Sequence, residues 1–284
     1  MSDTNIRCCT DLLNAVKKNC LKCVQILSDD PEQQSLTDNH KNTALHLAVR
    51  NLSILTYLLN KMSFLINERD EYGNTPLYYF YECGDHSLIT VKLLISRGAD
   101  VNILNKVGHN SLFIAADGDL EIFKYLWENG ANSFLDSYGW NVLLRCAHSC
   151  NDINLFRYIL ENASSLGVDP VSDEDNHGRN IIHIICMSRN RHGEKILSLL
   201  QDDRFTNLRL NKYINKKDNL KMTPLMYFLK NNYVDSDINI EFLKTLLSLG
   251  ADPLIENEGK SCIKQTKNLN YRKIIIEFQD LPPY

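Results

Sequence analysis

The segment Asp70-Glu71-Tyr72-Gly73-Asn74-Thr75-Pro76-Leu77 decides the fold, because its special residues each perform a recognisable backbone task. Gly73 can adopt the positive φ of a tight turn, Thr75 can cap a helix, and Pro76 suits the first helical position. The segment therefore predicts a turn that leads directly into a helix.

A second helix is predicted shortly after the first. The stretch Leu88–Ile95 is mostly apolar, and Gly98 follows it where a left-handed residue commonly ends a helix. The next residues, Ala99-Asp100-Val101-Asn102, are expected to link this helix to the following turn. Two short helices and a link then make one structural unit.

The same pattern recurs along the chain, with helix-capping residues at Thr43, Thr75, Asn110 and Asn141. These caps lie 32, 35 and 31 residues apart, which fits the ~33-residue ankyrin period better than a strict ~34-residue tetratricopeptide array. Two further caps, Asn180 and Thr223, follow at longer spacings of 39 and 43 residues. Extra residues are expected to loop out between helices, at 166–174, 201–217 and 231–237.

The chain resembles the ankyrin-repeat superfamily over nearly its whole length, through Thr43-Ala44-Leu45-His46-Leu47-Ala48, Thr75-Pro76-Leu77-Tyr78 and Gly250-Ala251-Asp252. The resemblance implies an all-α ankyrin-repeat solenoid in one domain, residues 1–284. In such a stack, Gly73, Gly108, Gly139 and Gly178 are expected in equivalent bends. About eight helix-pair units are expected, the outer two as atypical caps, with the approximate bounds 5–37, 38–69, 70–104, 105–135, 136–174, 175–217, 218–256 and 257–280.

Irregular repeat lengths and the aromatic run Leu77-Tyr78-Tyr79-Phe80-Tyr81 are more narrowly similar to poxvirus ankyrin proteins. That resemblance implies a host-range or immune-evasion factor that binds a host protein of NF-κB signalling, antiviral restriction or cell death such as necroptosis. Many members recruit the host SCF ubiquitin ligase through a C-terminal F-box-like segment. This chain stops at Leu281-Pro282-Pro283-Tyr284, so ligase recruitment is expected only if the natural protein continues. The alternative function is that of a cellular ankyrin scaffold or adaptor.

The tips of the turns are expected to bind the partner, because they project from an ankyrin stack and their variable residues have no packing duty. Aromatic and Arg side chains supply most interface hot spots. The alternative is that each aromatic ring packs on the next turn. The predicted partner-binding residues are Tyr72, Asn74, Lys106, His109, Tyr138, Trp140, Asn176, His177 and Arg179.

One position in each first helix is expected to be structural. His46 and His183 occupy the family position whose side chain bonds the neighbouring turns, and they are interpreted in that way. The equivalent residues of other units depart from histidine, so those units are expected to depend more on apolar packing. The departures are Tyr78, Phe113, Leu144 and Met226.

Composition and motifs argue against several other classes. A formal net charge of −4 disfavours nucleic acid as a partner. No apolar run approaches the ~18 residues that a membrane span needs, so a cytoplasmic protein is expected. No P-loop, GxSxG, HExxH or GxGxxG motif stands in a matching context, and Cys146 and His148 belong to one helix. Neither enzyme activity nor a cofactor is predicted.

The nine cysteines are spread along the chain, as expected for reduced thiols in the cytosol. Cys8, Cys9, Cys20 and Cys23 have the look of a four-thiolate zinc site. However, the second CxxC pair is missing, and Cys23 is expected on the inner face of its helix, where cysteine commonly acts as a small core residue. Core packing is the favoured interpretation, and no metal site is predicted.

Overall fold

Short helices dominate the described residues, which confirms the all-α prediction. The structure, a computed structural model, describes residues 9–279 except 151, 171, 189–196, 198–212 and 232–236. The helices in these ranges are Leu12–Lys17, Leu21–Leu27, Pro31–Gln34, Ala44–Ala48, Leu52–Lys61, Ser87–Ser96, Ser111–Ala115, Leu120–Glu128, Val142–Ser149, Ile153–Glu161, Ala163–Leu166, Ile181–Met187, Pro224–Asn231, Asp237–Ser248, Cys262–Gln265 and Leu269–Gln279, with 3-10 helices at Ser63–Leu65 and Pro76–His86.

The described residues fall into two compact units. The first unit contains those of Met1–Ala115 and Glu121–Phe134, and the second contains those of Ala116–Leu120 and Leu135–Tyr284. The expected division into eight helix pairs within one domain stays a prediction.

In the first unit, successive helix pairs pack through their first helices. Ala44–Ala48 contacts both Leu12–Lys17 and Pro76–His86, and Pro76–His86 also contacts Ser111–Ala115. Burying a Leu or Phe side chain stabilises a fold by about 1.5–3 kcal/mol, so apolar surface holds the pairs together. The interior includes the fully buried side chains of Leu12, Leu45, Ile54, Leu58, Leu77, Val91, Leu112 and Phe123.

The second unit repeats this packing. Ile181–Met187 contacts both Val142–Ser149 and Pro224–Asn231, and Pro224–Asn231 also contacts Cys262–Gln265. The second helix Asp237–Ser248 packs on Leu269–Gln279. Side chains buried between these helices include Leu143, Leu155, Phe156, Ile159, Ile182, Phe228, Leu246 and Tyr271.

The helix start predicted at Thr75-Pro76 is confirmed. Thr75 is the extended residue before the helix and Pro76 is its first residue, although the Thr75 hydroxyl makes no capping bond and the helix is of the 3-10 type. Gly84 breaks that helix with a φ of 57°, and the second helix of the pair then begins at Ser87.

Helices also lie near both ends of the described residues. Two helices lie within 10–28 and two more follow residue 258. A short antiparallel hairpin, Glu256–Asn257 with Lys260–Ser261, precedes the latter two and was not predicted. Most of the expected loops at 201–217 and 231–237, and the tail Leu281-Pro282-Pro283-Tyr284, lie outside the described residues.

Candidate functional site

Six turns share one hydrogen-bonding scheme, and we name each by its first residue: Asp38, Asp70, Asn105, Asp136, Asp175 and Asp218. In the Asp70 turn, the carboxylate Oδ1 accepts hydrogen bonds from the amides of Tyr72 and Asn74, both at 2.8 Å. The other five turns repeat both bonds at 2.8 to 3.0 Å. A short acceptor side chain is therefore required at the first position, which explains the recurrent Asp or Asn.

The fourth residue of every turn has a positive φ. It is glycine in four turns, Gly73, Gly108, Gly139 and Gly178, with φ between 73° and 89°. A Cβ atom added to Gly139 would lie 2.8 Å from the backbone nitrogen of Asn176 in the next turn, so only glycine fits. The expected equivalence of these four bends is confirmed, and Lys41 and Lys221 occupy the same position at 62° and 60°.

Backbone hydrogen bonds join neighbouring turns within each unit. The Tyr72 carbonyl accepts from the Lys106 amide at 2.9 Å, and the Tyr138 carbonyl accepts from the Asn176 amide at 2.9 Å. His40 and His177 make the same bond to the turn that follows them. The third residue of these turns thus has its backbone N–H and C=O groups hydrogen-bonded within the stack. Binding to a partner would therefore depend on its side chain.

These third-position side chains are exposed. Tyr72 and Tyr138 are 56% and 57% exposed, Leu220 is 65% exposed and Val107 is 37% exposed. Sequence analysis missed Leu220, although its position two residues after Asp218 would have identified it. Tyrosine is enriched among the residues that carry most of the binding free energy of protein interfaces. We call the exposed third-position side chains of each unit its tip surface, which is His40, Tyr72 and Val107 in the first unit and Tyr138, His177 and Leu220 in the second.

Asn74 was expected to be available to a partner, and the structure shows otherwise. Its side chain is buried. It donates to the Asp70 carboxylate at 3.3 Å and accepts from the Asn105 amide group at 2.9 Å. Since a buried amide needs such partners, Asn74 acts within the stack and is removed from the candidate surface.

Trp140 and Arg179 are half-buried and converge on one carboxylate. The Trp140 Nε1 donates to Asp175 at 3.1 Å, and Arg179 Nε donates to the same oxygen of Asp175 at 2.7 Å. The Trp140 ring also lies over His148, with 5.1 Å between ring centroids. The alternative that this ring packs on the next turn agrees with the structure, and both side chains brace the Asp175 turn.

The remaining predicted residues differ in their exposure and in the contacts of their side chains. Lys106 is exposed, and so are Asn176 and His177. The Asn176 amide group donates to the Ser137 carbonyl at 3.0 Å, so part of this side chain bonds the preceding turn. His109 is half-buried and stacks on Phe113 with ring centroids 4.0 Å apart.

The structural interpretation of His46 and His183 is confirmed. His46 Nδ1 lies 2.9 Å from the Thr43 hydroxyl, and its Nε2 lies 3.0 Å from the Asn74 carbonyl of the next turn. His183 Nε2 lies 3.2 Å from the Met222 carbonyl in the same way. Burial lowers the pKa of both imidazoles below the ordinary histidine value, which favours their neutral forms.

Apolar packing replaces histidine in other units, as expected. Phe113, Leu144 and Met226 are buried at this position, whereas Tyr78 is half-buried. The asparagine caps make a further polar link whether or not the unit keeps its histidine: the Asn110 amide group donates to the Asn132 carbonyl at 2.9 Å, Asn141 donates to Asp173 at 2.6 Å, and Asn180 donates to the Tyr213 carbonyl at 3.0 Å.

Two tyrosines brace the turns in a way that sequence analysis did not detect. The Tyr79 hydroxyl donates to Asp70 Oδ2 at 2.5 Å, and the Tyr227 hydroxyl donates to Asp218 Oδ2 at 2.6 Å. Burial and the neighbouring carboxylate raise the pKa of both phenols, so they remain donors. The available signal was a tyrosine four residues after the Thr of each Thr-Pro pair.

Cys146 and His148 do not form a nucleophilic pair. Cys146 is fully buried, and this burial raises the pKa of its thiol well above the ordinary value. The thiolate, which is the nucleophilic form, is therefore disfavoured. His148 contacts Trp140 and Ser149 instead.

One group of side chains has the chemistry of a metal site. The sulfur atoms of Cys9, Cys20 and Cys23 all lie within 4.8 Å of one another. Cys8 lies outside the described residues. The missing second CxxC pair and the expected core position of Cys23 argued against a metal site here, and Cys23 is indeed buried.

Among the helices of the described ranges, none combines the length and the apolar character that a bilayer crossing requires.

Comparison with known proteins identifies the repeated unit. A family model described as ankyrin repeats (3 copies) matches residues 12–103 and 80–172. A protein of Acanthamoeba polyphaga mimivirus, named as an ankyrin repeat protein, is 27% identical over 94% of this chain and 36% of its own length. The matched residues of the family model include the Asp38, Asp70, Asn105 and Asp136 turns, and the Asp175 and Asp218 turns follow them.

Two other relatives have different names. A probable serine/threonine-protein kinase of Dictyostelium discoideum is 28% identical over 35% of this chain and 11% of its own length. The human transient receptor potential cation channel subfamily A member 1 is 28% identical over 67% of this chain and 16% of its own length. The chain spans about a third or less of the length of these relatives, so the likeness concerns one segment of each.

Proposed function

This chain belongs to the ankyrin-repeat family, and we therefore propose that it binds another protein through the tip surfaces of its two units. The observation that carries the proposal is the combination of a held backbone with exposed large side chains. Both polar backbone groups of Tyr72 and Tyr138 are bonded within the turns, while more than half of each side chain is exposed.

Preorganisation supports this surface as a binding site. Ordering a flexible loop on binding costs free energy, which a turn already fixed by hydrogen bonds avoids. A tyrosine has only two side-chain torsions to restrict and presents both an apolar ring and a hydroxyl group. Lys106, Asn176 and His177 supply polar groups beside the rings, as the rim of an interface does.

Trp140 and Arg179 have a different place in this proposal. Because both bond Asp175, they hold the turn that follows Tyr138 and contribute to binding by fixing that turn. His109, stacked on Phe113, holds the base of the Asn105 turn in a comparable way.

We propose further that the partner is a host protein and that the chain works in the host cytoplasm. The relative from a mimivirus supports a viral setting. The poxvirus-like features of the sequence favour a host-range or immune-evasion factor that binds a component of NF-κB signalling, restriction or necroptosis. Substrate recruitment for an SCF ubiquitin ligase would need an F-box-like segment outside this chain, and a cellular scaffold is the alternative.

The test is a comparison of the wild-type chain with Tyr72→Ala/Tyr138→Ala. A partner captured from host cytosol is identified, purified and titrated by calorimetry. We expect the double variant to lose about 2 kcal/mol or more of binding free energy, or at least about thirtyfold in Kd, as hot-spot truncations do.

A matched control separates the tip surface from exposed aromatic groups in general. Phe64 is 65% exposed but lies in the 3-10 helix Ser63–Leu65, outside the six turns. Phe64→Ala should leave the Kd unchanged. Equal losses in the control and in the double variant, or no loss in either, would place the binding surface elsewhere.

A further inference from the structure

Three cysteine thiols meet beside the first helix pair, and nothing in the turn-tip surface uses them. The sulfurs of Cys9, Cys20 and Cys23 lie within 4.8 Å of one another, and the structure holds them as thiols. Cys9 and Cys23 are buried, whereas Cys20 is half-buried, so an ion could reach the group from solvent.

The backbone explains how these residues meet. Asp11 caps the helix Leu12–Lys17 through a 2.7 Å bond to the Asn14 amide, which sets the position of the chain just after Cys9. Asn19 then bends the chain with a φ of 54°. The Cys20 amide donates to the Ala15 carbonyl at 2.9 Å, and this bond holds Cys20 beside the first helix.

The spacing of the other two cysteines completes the group. Cys20 is the N-cap of the helix Leu21–Leu27, and Cys23 is its third residue. Residues three apart lie on one side of a helix, so both sulfurs are available to one ion. Cys9 approaches from the preceding segment, and the group therefore joins both helices of the pair.

The distances are compatible with zinc. Zn²⁺ bonds thiolate sulfur at about 2.3 Å in a tetrahedron, which places the sulfurs about 3.8 Å apart. The sulfur atoms lie within 4.8 Å of one another, so each sulfur–sulfur distance needs to shorten by at most about 1 Å. Rotation of the cysteine side chains can produce a movement of this size. Three thiolates around one divalent cation leave a net charge of −1, and the exposed Lys18 and Lys22 flank Cys20 in the sequence.

We propose that Cys9, Cys20 and Cys23 bind one Zn²⁺ ion as thiolates, with the fourth coordination position filled by a donor outside these three. Each thiol releases its proton to the solvent when the ion binds, so the affinity for zinc decreases as the pH is lowered. The ion links the segment before the first helix to the second helix and stabilises this pair by binding only the folded chain.

The experiment uses the reduced full chain. Zinc titration in competition with a chromophoric chelator should give one ion per chain with a submicromolar Kd. Cobalt(II), which substitutes for zinc, should produce the intense near-ultraviolet absorption of sulfur-to-metal charge transfer. Added zinc should also raise the melting temperature in proportion to the logarithm of its free concentration.

Two variants identify the ligands. Cys20→Ser, at the least buried of the three positions, should abolish the cobalt absorption. It should also weaken zinc binding by more than the ~10–100-fold that loss of an outer-shell group costs. Cys262→Ser, at a buried thiol of the second unit, should change neither the cobalt absorption nor the zinc Kd.

Three results would overturn the proposal. They are zinc content well below one ion per chain, a cobalt spectrum without charge-transfer absorption, and an unchanged zinc Kd in Cys20→Ser. The cobalt spectrum of the unsubstituted chain decides the matter independently if the variant does not fold, which circular dichroism reports.

Discussion

At the scale of single residues, the side chain at the first position of each turn accepts at least two hydrogen bonds from that turn's backbone. Asp70 accepts from two backbone amides, from the Asn74 side chain and from the Tyr79 hydroxyl. Asp175 accepts from two amides and from Trp140 and Arg179. Burial of Asp175 disfavours its charged form, but its bonds to Arg179 outweigh that effect and lower the pKa of this carboxyl.

The buried histidines give the chain a specific response to acid. Burial lowers the folded-state pKa of His46 and His183, so the unfolded chain binds a proton first as the pH falls. The stability that these neutral side chains provide is complete above the pKa of histidine in the unfolded chain, about 6.5, and is lost as the pH falls below that pKa. We expect the urea concentration at the unfolding midpoint to decrease as the pH is lowered from about 7.5 to about 5.5.

Variants assign that loss to its source. His46→Gln should reduce the acid-dependent fall in the urea midpoint, because glutamine does not titrate. His40 is exposed, and its bond to Glu71 raises its pKa, so this histidine stabilises the fold at low pH. His40→Gln should therefore make the fall larger. Identical pH profiles for the two variants would contradict this assignment.

At the scale of helices and turns, one cap residue does two tasks. Asn110 Oδ1 accepts from the Phe113 amide at 3.0 Å and so caps the helix Ser111–Ala115. Its amide group donates to the Asn132 carbonyl at 2.9 Å. The first bond begins a helix, and the second ties it to the segment that follows the next helix.

Removing both bonds should cost the sum of a cap and a buried hydrogen bond. We expect Asn110→Ala to lower the free energy of unfolding by about 2 kcal/mol, measured by urea titration. Asn110→Asp keeps the acceptor but loses the amide donor, and its loss should be smaller. Asn39→Ala, at an exposed asparagine, should stay within about 0.5 kcal/mol of the wild type. Equal stabilities for the Ala and Asp variants would show that the second bond contributes nothing.

At the scale of the whole molecule, each helix pair is stabilised by its neighbours. The packing in both units runs from one first helix to the next, and the described residues divide into two compact units. In such an array, stability is approximately a sum over pairs and their interfaces. A local defect should therefore act on its own unit first.

Hydrogen exchange can measure this locality. Leu58→Ala empties a fully buried site of the first unit and should cost about 2–5 kcal/mol there. We expect amides of Ala44–Ala48 to lose protection while those of Asp237–Ser248 change little. Ile159→Ala, at a fully buried site of the second unit, should give the reverse pattern. Uniform loss of protection in both variants would mean that the chain unfolds as one cooperative body.

The sequence by itself determined the repeated turn, the helix that follows it and the structural histidines. These features depend on residues that are close in the chain: Gly73 bends the turn, Pro76 starts a helix and His46 bonds its own cap. Local chemistry of this kind is readable from spacing, because the groups that interact are separated by only a few residues.

Only the tertiary structure decided which variable side chains are available to a partner. Asn74 and Trp140 occupy the same relative position, and their partners Asn105 and Asp175 lie 31 and 35 residues further along the chain. The meeting of Cys9 with Cys20 and Cys23 likewise depends on how two helices are folded back on each other. Such contacts are set by the register between successive layers, which adjacent residues in the sequence do not specify.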